Sequence, residues 1–149
     1  MSFRSSLIQY LQDAITAAAG DNALSGLTVN DTPARPYTAN KGITVFFPTF
    51  NFVLDGRGEM KEYNGSIELL CYAIVDGEDM SARSEAYDSA SEIAKEVARL
   101  FFLDASVGGA VCDATITDCE GGWDAEDAYP YQLIALTLRY NQIGLVESE

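Results

Sequence analysis

Glu62-Tyr63-Asn64-Gly65-Ser66-Ile67-Glu68-Leu69-Leu70-Cys71-Tyr72-Ala73-Ile74-Val75 is the stretch on which the fold turns. A period of two puts Ile67, Leu69, Cys71, Ala73 and Val75 on one face, and Ser66, Glu68, Leu70 and Tyr72 on the other. The first face is wholly apolar and belongs against a core. The second is mixed, the pattern of a strand partly covered on that side, for instance by a neighbouring subunit. Asp76-Gly77-Glu78-Asp79 stops the strand.

Outward from this strand the elements alternate in kind. Toward the C-terminus, Ser81 to Phe102 reads as a helix. Ala90, Ile93, Ala94, Val97, Leu100 and Phe101 form its core stripe, and Glu85, Asp88, Glu92, Glu96 and Arg99 lie opposite. Acids near its start and Lys95 and Arg99 near its end suit the helix dipole. Toward the N-terminus, Gly42 to Phe47 is β-branched and aromatic and stops at Pro48, with Asn51 to Leu54 extending it beyond a kink. Asp55-Gly56-Arg57-Gly58 has the chemistry of a loop or hairpin tip. Asp21 to Lys41 is a connection broken by Pro33 and Pro36, holding a short strand near Leu27 to Val29. Before it, Leu7, Ile8, Leu11 and Ile15 recur at helical spacing over Ser5 to Ala19, and Gly20 ends that helix. After the long helix come a strand over Val111 to Thr117, an acidic loop over Asp118 to Pro130, and a strand over Tyr131 to Asn141. The expected fold is α+β: a small, mostly antiparallel sheet of about four strands, with both helices on one face, in a single domain spanning residues 1–149.

Charge and histidine content bound the function. Twenty-three acids against nine bases leave a net charge of −14, and there is no histidine. That removes histidine acid–base catalysis, Ser-His and Cys-His nucleophile pairs, and most zinc sites. A field of this sign repels phosphates, which disfavours tight nucleic-acid binding yet suits a surface past which DNA slides. Cys71, Cys112 and Cys119 are odd in number and lack a CxxC, so they read as core and loop thiols of a protein made in a reducing cytoplasm. No apolar run reaches the ~20 residues that span a bilayer. The first 20 residues read as an amphipathic helix, not a signal peptide.

Few residues carry candidate chemistry. Asp118, Glu120, Asp124, Glu126 and Asp127 offer oxygen ligands for Ca²⁺ or Mg²⁺ but lack EF-hand spacing, so a solvated or interface loop is the preferred reading. They belong to a longer asymmetry: Leu100 to Leu138 holds seven acids and no Lys or Arg. Asp104, within it, is read as an ordinary solvent-facing acid. Gly56-Arg57-Gly58 lacks the pattern of a phosphate-binding loop and is a turn. Trp123, between Gly122 and Asp124, is either a lid on the local core or an anchor in a partner's pocket. No catalytic, cofactor or metal residue is assigned, and the chain is expected not to be an enzyme.

This order of elements resembles the tail terminator (tail-completion) proteins of long-tailed bacteriophages. The features that carry it are an amphipathic first helix, a proline-containing connection, strands like Ile43 to Phe47 and Ile67 to Val75, a helix like Ser84 to Phe102, and two last strands. The resemblance implies a structural virion protein, assembled on a tail tube in the host cytoplasm as a ring, hexameric in that family, that joins tube to head while DNA passes the lumen unbound. Its implied partners are further copies of itself, the tail tube protein and neck proteins. On this reading Asp118, Glu120, Asp124, Glu126 and Asp127, or the helix acids Glu85, Asp88 and Glu92, line the lumen, and Phe50, Phe52, Tyr63, Tyr72 and Trp123 supply interface aromatics. A head-completion or neck connector protein, an acidic adaptor for a basic partner, and a carboxylate–metal enzyme are the alternatives.

Overall fold

The structure is a computed structural model and describes residues 3–35, 39–54, 60–74, 80–109, 111, 113–124 and 131–143. In chain order the elements are α1 (Phe3–Ala17), β1 (Thr28–Asn30), β2 (Lys41–Val45), β3 (Thr49–Leu54), β4 (Met60–Ile74), α2 (Met80–Leu103), β5 (Asp113–Asp124) and β6 (Tyr131–Ile143). The fold is α+β as expected, but the sheet is mixed and holds six strands. β1 runs parallel to β2, and every other pairing is antiparallel. Short-range patterning carries no sign of strand direction, which is why the parallel pair was not foreseen.

β4 is the strand that the others share. β6 takes one of its edges from Glu62 to Ile74. The other edge is divided: β2 pairs Leu69 to Ala73, and β3 pairs Met60 to Ser66. The division falls where Pro48 leaves the ladder, since proline has no N–H to give it. Phe46 still donates its N–H to the Glu68 carbonyl at 3.0 Å. The expected kink between the two strands is thus observed, and β3 and β4 flank the expected hairpin tip at 55–58, which lies outside the described residues.

Arg4 on α1 holds that kink. Its guanidinium donates to the carbonyls of Phe46 (3.2 Å), Val45 (2.8 Å) and Asp31 (2.5 Å) and stacks 4.6 Å above the Phe47 ring. These carbonyls lie where the ladder ends, so a five-donor fork satisfies acceptors that no strand reaches.

The core lies on one face of the sheet. Phe3, Leu7 and Leu11 of α1 join Ala90, Ile93, Val97 and Phe101 of α2 and Ile43, Val45, Ile67, Leu69 and Cys71 of the sheet in one buried cluster. Each large aliphatic side chain buried there contributes roughly 1.5–3 kcal/mol. Both helices therefore pack on the expected face. The dipole reading of α2 is corrected: its first turn has no acid and its last turn no base.

The opposite face of β4 is closed at one end by the chain itself. The expected partial cover of this face is present, but Leu70 and Tyr72 are buried within one chain, and Tyr72, expected at an interface, is not available to a neighbour. Tyr72 lies across Gly42, and its hydroxyl accepts the Ala39 N–H at 3.2 Å. Asn30, also buried, donates to the carbonyls of Arg35 (2.6 Å) and Thr32 (3.3 Å) and to the Thr44 hydroxyl (3.3 Å), fixing the return from β1 to β2. The cover on this half of the mixed face is intramolecular.

Gly42 is required by close approach. A Cβ there would stand 2.6 Å from the Thr28 carbonyl oxygen on β1 and 2.8 Å from the Tyr72 hydroxyl. Gly42→Ala should therefore push β1 off the sheet and destabilise the fold by about 2 kcal/mol, within the usual range for overpacking. A urea midpoint lowered with an unchanged slope is the expected result, and an unshifted midpoint would contradict this packing.

Candidate functional site

β5 sorts its residues by a bulge. Ile116 pairs Leu138 and Asp118 pairs Thr137, so Thr117 is an extra residue and the register shifts there. Before the shift, Ala114 and Ile116 fall on the helix side, with Asp113 and Thr115 opposite. After it, Cys119 pairs Leu136 and takes the helix side, while Asp118 and Glu120 join the rows of Thr137 and Ala135 on the open side. In an unbroken alternation Asp118 and Glu120 would follow Ile116 toward the helices. The bulge turns them outward, a common use of such irregularities at sheet edges. Asp113, Asp118 and Glu120 are all exposed.

This corrects the loop expected over Asp118 to Pro130. Asp118, Glu120 and Asp124 belong to a strand, as do Gly121, Gly122 and Trp123. The aromatic and glycine content that suggested a loop is held instead by a full ladder to β6. Glu126 and Asp127 lie outside the described residues, as does Cys112. The structure brings Asp118 and Glu120 together with Asp113 on one exposed strip, and places Glu85, Asp88 and Glu92 elsewhere, exposed on α2. Acid is therefore presented on both the open sheet face and the helix.

Among the expected interface aromatics, Tyr72 is corrected to a core residue with 0% exposure. Phe50, Phe52, Tyr63 and Trp123 are described by backbone alone, Phe50 opposite Gly65, Phe52 opposite Tyr63, and Trp123 opposite Gln132. Side chains that the sequence reading passed over are exposed instead: Phe102 at 87%, Leu103 at 70% and Phe47 at 69%. Their signal is phase. Leu100-Phe101-Phe102-Leu103 is four apolar residues in a row, and one helical stripe buries only part of such a run. Phe101 takes the core, Leu100 packs partly against it, and Phe102 and Leu103 are left outside.

Phe102 borders a cleft of about 660 Å³ between the end of α2 and the start of β5. Its walls are mostly apolar, from Ala98, Phe101, Ala105, Ala114 and Ile116, with Lys95 and Arg99 at the side. Those two bases pair only loosely with their own helix, Lys95 to Glu92 at 3.3 Å and Arg99 to Glu96 at 4.0 Å, on exposed side chains. β5 is the edge strand here: its outer side has no paired strand among the described residues.

The chain leaves α2 through a tight loop that lies against α1, beside Ser6, Gln9, Tyr10 and Asp13. Val107, Gly108 and Gly109 all have positive φ, at 51°, 67° and 90°. For valine this conformation is strained by about 1–2 kcal/mol. Burial of the Val107 side chain in the core opposes that strain. Asp104 gathers the loop: its carboxylate accepts the Ser106 hydroxyl (2.6 Å), the Gly108 N–H (3.0 Å) and the Ser106 N–H (3.1 Å). The Ser106 hydroxyl, then these backbone donors and the Tyr10 hydroxyl, hold the carboxyl below the ordinary range. Burial, then the Asp104 charge and hydrogen bond, raise Tyr10. Asp104 is thus a loop anchor, not merely a solvated acid.

The cysteines are unlike each other. Burial, with a small contribution from Cys119, pushes the Cys71 thiol up, whereas Cys119 is exposed and raised by partial desolvation and Asp118. A high pKa suppresses the thiolate at neutral pH and with it nucleophilic reactivity. Among the described residues no group of three or more His, Cys, Asp or Glu is arranged to hold a metal ion, and no helix is long and apolar enough to cross a membrane.

Asp104→Asn should lower stability at pH 7 by on the order of 1 kcal/mol, the scale of a lost intramolecular hydrogen bond. Because the folded carboxyl titrates below its unfolded value of about 3.9, its contribution is complete above that pH and is lost as pH falls through the folded value. Denaturant titrations should show the gap between wild type and variant narrowing below about pH 4. A gap that stays constant to pH 2 would contradict the anchor. No protein-family model matches the chain, and comparison with curated proteins finds no match.

Proposed function

We propose that the chain is a structural assembly subunit, a tail terminator type of protein that forms a ring on a tail tube and lets DNA through its lumen, and that it is not an enzyme. The observation that carries this reading is β5. A twelve-residue edge strand, with no strand paired on its outer side among the described residues and with exposed Phe102 beside it, is a surface that a lone soluble protein ordinarily protects. A subunit covered by its neighbour has no need to. The acids Asp118 and Glu120 stand on the same strand but on its open face, out of the cleft, where they can face a lumen.

Acid on that face suits passage of DNA. Phosphates meeting like charge are repelled, and at physiological salt the field reaches about 8 Å. β5 itself holds no base, and the one described base on this face, exposed Arg139 of β6, stands opposite Thr115, toward the start of the strand from Asp118 and Glu120. In the proposed ring the helix acids Glu85, Asp88 and Glu92 are on the outside, where they keep the assembly soluble. The mixed face of β4 keeps an open polar half around Asn64, Ser66 and Arg139, available to a neighbour in the virion.

Light scattering and negative-stain imaging, with and without tail tubes, test the assembly. Closed rings of a fixed number of subunits are expected. A monomer that tubes do not recruit would overturn the reading, and salt-labile capture of a basic protein without tubes would favour the adaptor. The double substitution Asp118→Lys and Glu120→Lys tests the lumen, moving each subunit's net charge from −14 to −10. It should leave assembly intact and give salt-dependent retention of double-stranded DNA, which the wild type lacks. Unchanged DNA behaviour in intact rings would place these acids away from the lumen.

A further inference from the structure

The α2–β5 cleft is lined on its strand side by three consecutive residues, Ala114, Thr115 and Ile116. Neighbours in a strand point to opposite faces, so a cleft that borders all three follows the backbone of β5. That backbone is an edge: among the described residues no strand pairs its outer side. On the helix side Lys95, Arg99 and Phe102 line the cleft as one stripe of α2. From Lys95 to Phe102 the helix rises about 10 Å, and three extended residues cover about the same length. The cleft is therefore sized for a short extended segment between an edge strand and a helix. The unpaired N–H and C=O groups of the edge call for a strand, since a helix laid there would leave them unmet. We propose that the cleft takes an extended segment of another protein, added to β5 as a strand, with an apolar and an acidic residue two positions apart. The proposal rests on the assembly reading above only in taking this edge as covered, and it names the chemistry of the cover.

Residues two apart on an added strand fall on one face. On the helix side the apolar one meets Ala114, Ile116 and the ring of Phe102, which is otherwise left to solvent. The acidic one meets Lys95 and Arg99. Among the described residues these are the charged groups lining the cleft, and both are bases. Their partners Glu92 and Glu96 lie three residues back on the same helix, at 3.3 and 4.0 Å, and such surface pairs contribute little. A base on this side of the segment would be repelled. An acid on its other side would be repelled too, because exposed Asp113 stands on the open face just before Ala114. The charges therefore set the phase: acid toward α2, uncharged residues toward the open face. At physiological salt the net charge of −14 is screened beyond about 8 Å, so the two bases in the cleft act locally. The described edges of this chain do not supply such a segment. β3 is uncharged, and Asp113, Asp118 and Glu120 of β5 lie on its open face. Val29 and Asp31 have the spacing, but β1 ends at Asn30 and the Arg4 guanidinium sits on the Asp31 carbonyl. That cation would be carried toward Lys95 and Arg99. The chemistry favours a different protein over a second copy.

Peptide binding to the full chain tests it. The probe is a threonine-rich peptide, blocked at both ends, that holds leucine and glutamate two positions apart. One control has lysine in place of glutamate, and another sets leucine and glutamate side by side. In an amide NMR titration the probe should bind saturably and slow hydrogen exchange between Asp113 and Ile116, with each control at least about tenfold weaker. The double substitution Lys95→Glu and Arg99→Glu should invert the preference, so that the lysine peptide binds about tenfold better than the glutamate one. Phe102→Ser should weaken both. These side chains are exposed, so circular dichroism and urea midpoint should stay at wild-type values. If the double variant departs from them, Lys95→Gln with Arg99→Gln replaces it and should erase the preference. Equal binding of the three peptides, no saturable binding, or a preference that the charge variants leave unchanged overturns the proposal. Binding felt on α2 without slowed exchange on β5 overturns the added strand. A probe that disperses wild-type rings would make the occupant a second copy and overturn a separate partner. Rings from a chain that ignores the probe would remove this contact and leave the assembly reading standing. Probe binding as predicted by a chain that tubes never recruit would uphold the contact and overturn that reading.

Discussion

Every other element of this protein answers to the length of β4. Fifteen residues of continuous strand is about three times the usual strand, and each residue brings an N–H and a C=O that need partners. One edge is served by a single strand of nearly equal length. The other edge is served by two shorter ones, because Pro48 interrupts the chain that faces it. Where the two meet, the ladder fails for the carbonyls of Val45 and Phe46, and the side chain of Arg4 makes up the loss. A residue of the first helix thus completes the hydrogen bonding of the sheet, and ties the start of α1 to the same place where Phe3 and Leu7 pack beside Val45 in the core.

The same strand explains why one face is dry and the other divided. On the helix side, Ile67, Leu69 and Cys71 are sealed by both helices. On the other side, Leu70 and Tyr72 are buried within the same chain, Tyr72 lying across Gly42 and accepting the Ala39 N–H. Beyond that cover the face turns polar: Asn64, Ser66 and exposed Glu68 need no lid. The mixed character of the face is a switch along the strand from buried to open.

Most of this architecture was legible because it is periodic. The stripe of Ala90, Ile93, Val97 and Phe101, and the alternation of Ile67, Leu69 and Cys71, identify a helix and a strand without any tertiary knowledge. What escaped reading was non-periodic or non-local. A parallel β1 depends on a partner fourteen residues on, and the cover over Tyr72 depends on Ala39 reaching back to it. The bulge sits between these cases. Ala114 and Ile116 are apolar at even positions, then Cys119 and Trp123 at odd ones, so the phase of the pattern breaks near Thr117. The sequence reading ends the strand at Thr117 and takes the acidic stretch after it as a loop. Taken as one extra residue, the break predicts a single strand that keeps carboxylates out of the core, since burying an unpaired carboxylate is far costlier than losing one ladder position.

The bulge also reconciles two demands on one edge. A chain of net charge −14 meets its own copies under repulsion, so any contact between them must be mainly apolar with the like charges held aside. β5 has the means for both. Its first half gives Ala114 and Ile116 to the cleft, and its second half carries Asp118 and Glu120 on the open face. Without the extra residue, the acids would lie in line with Ile116 on the cleft side, where an arriving acidic neighbour would be repelled and two carboxylates desolvated. Shifting the phase by one residue removes both penalties while leaving the strand continuous. In the proposed ring, the surface that binds the neighbour and the surface that repels DNA are therefore two faces of one strand, and neither can be altered in register without moving the other.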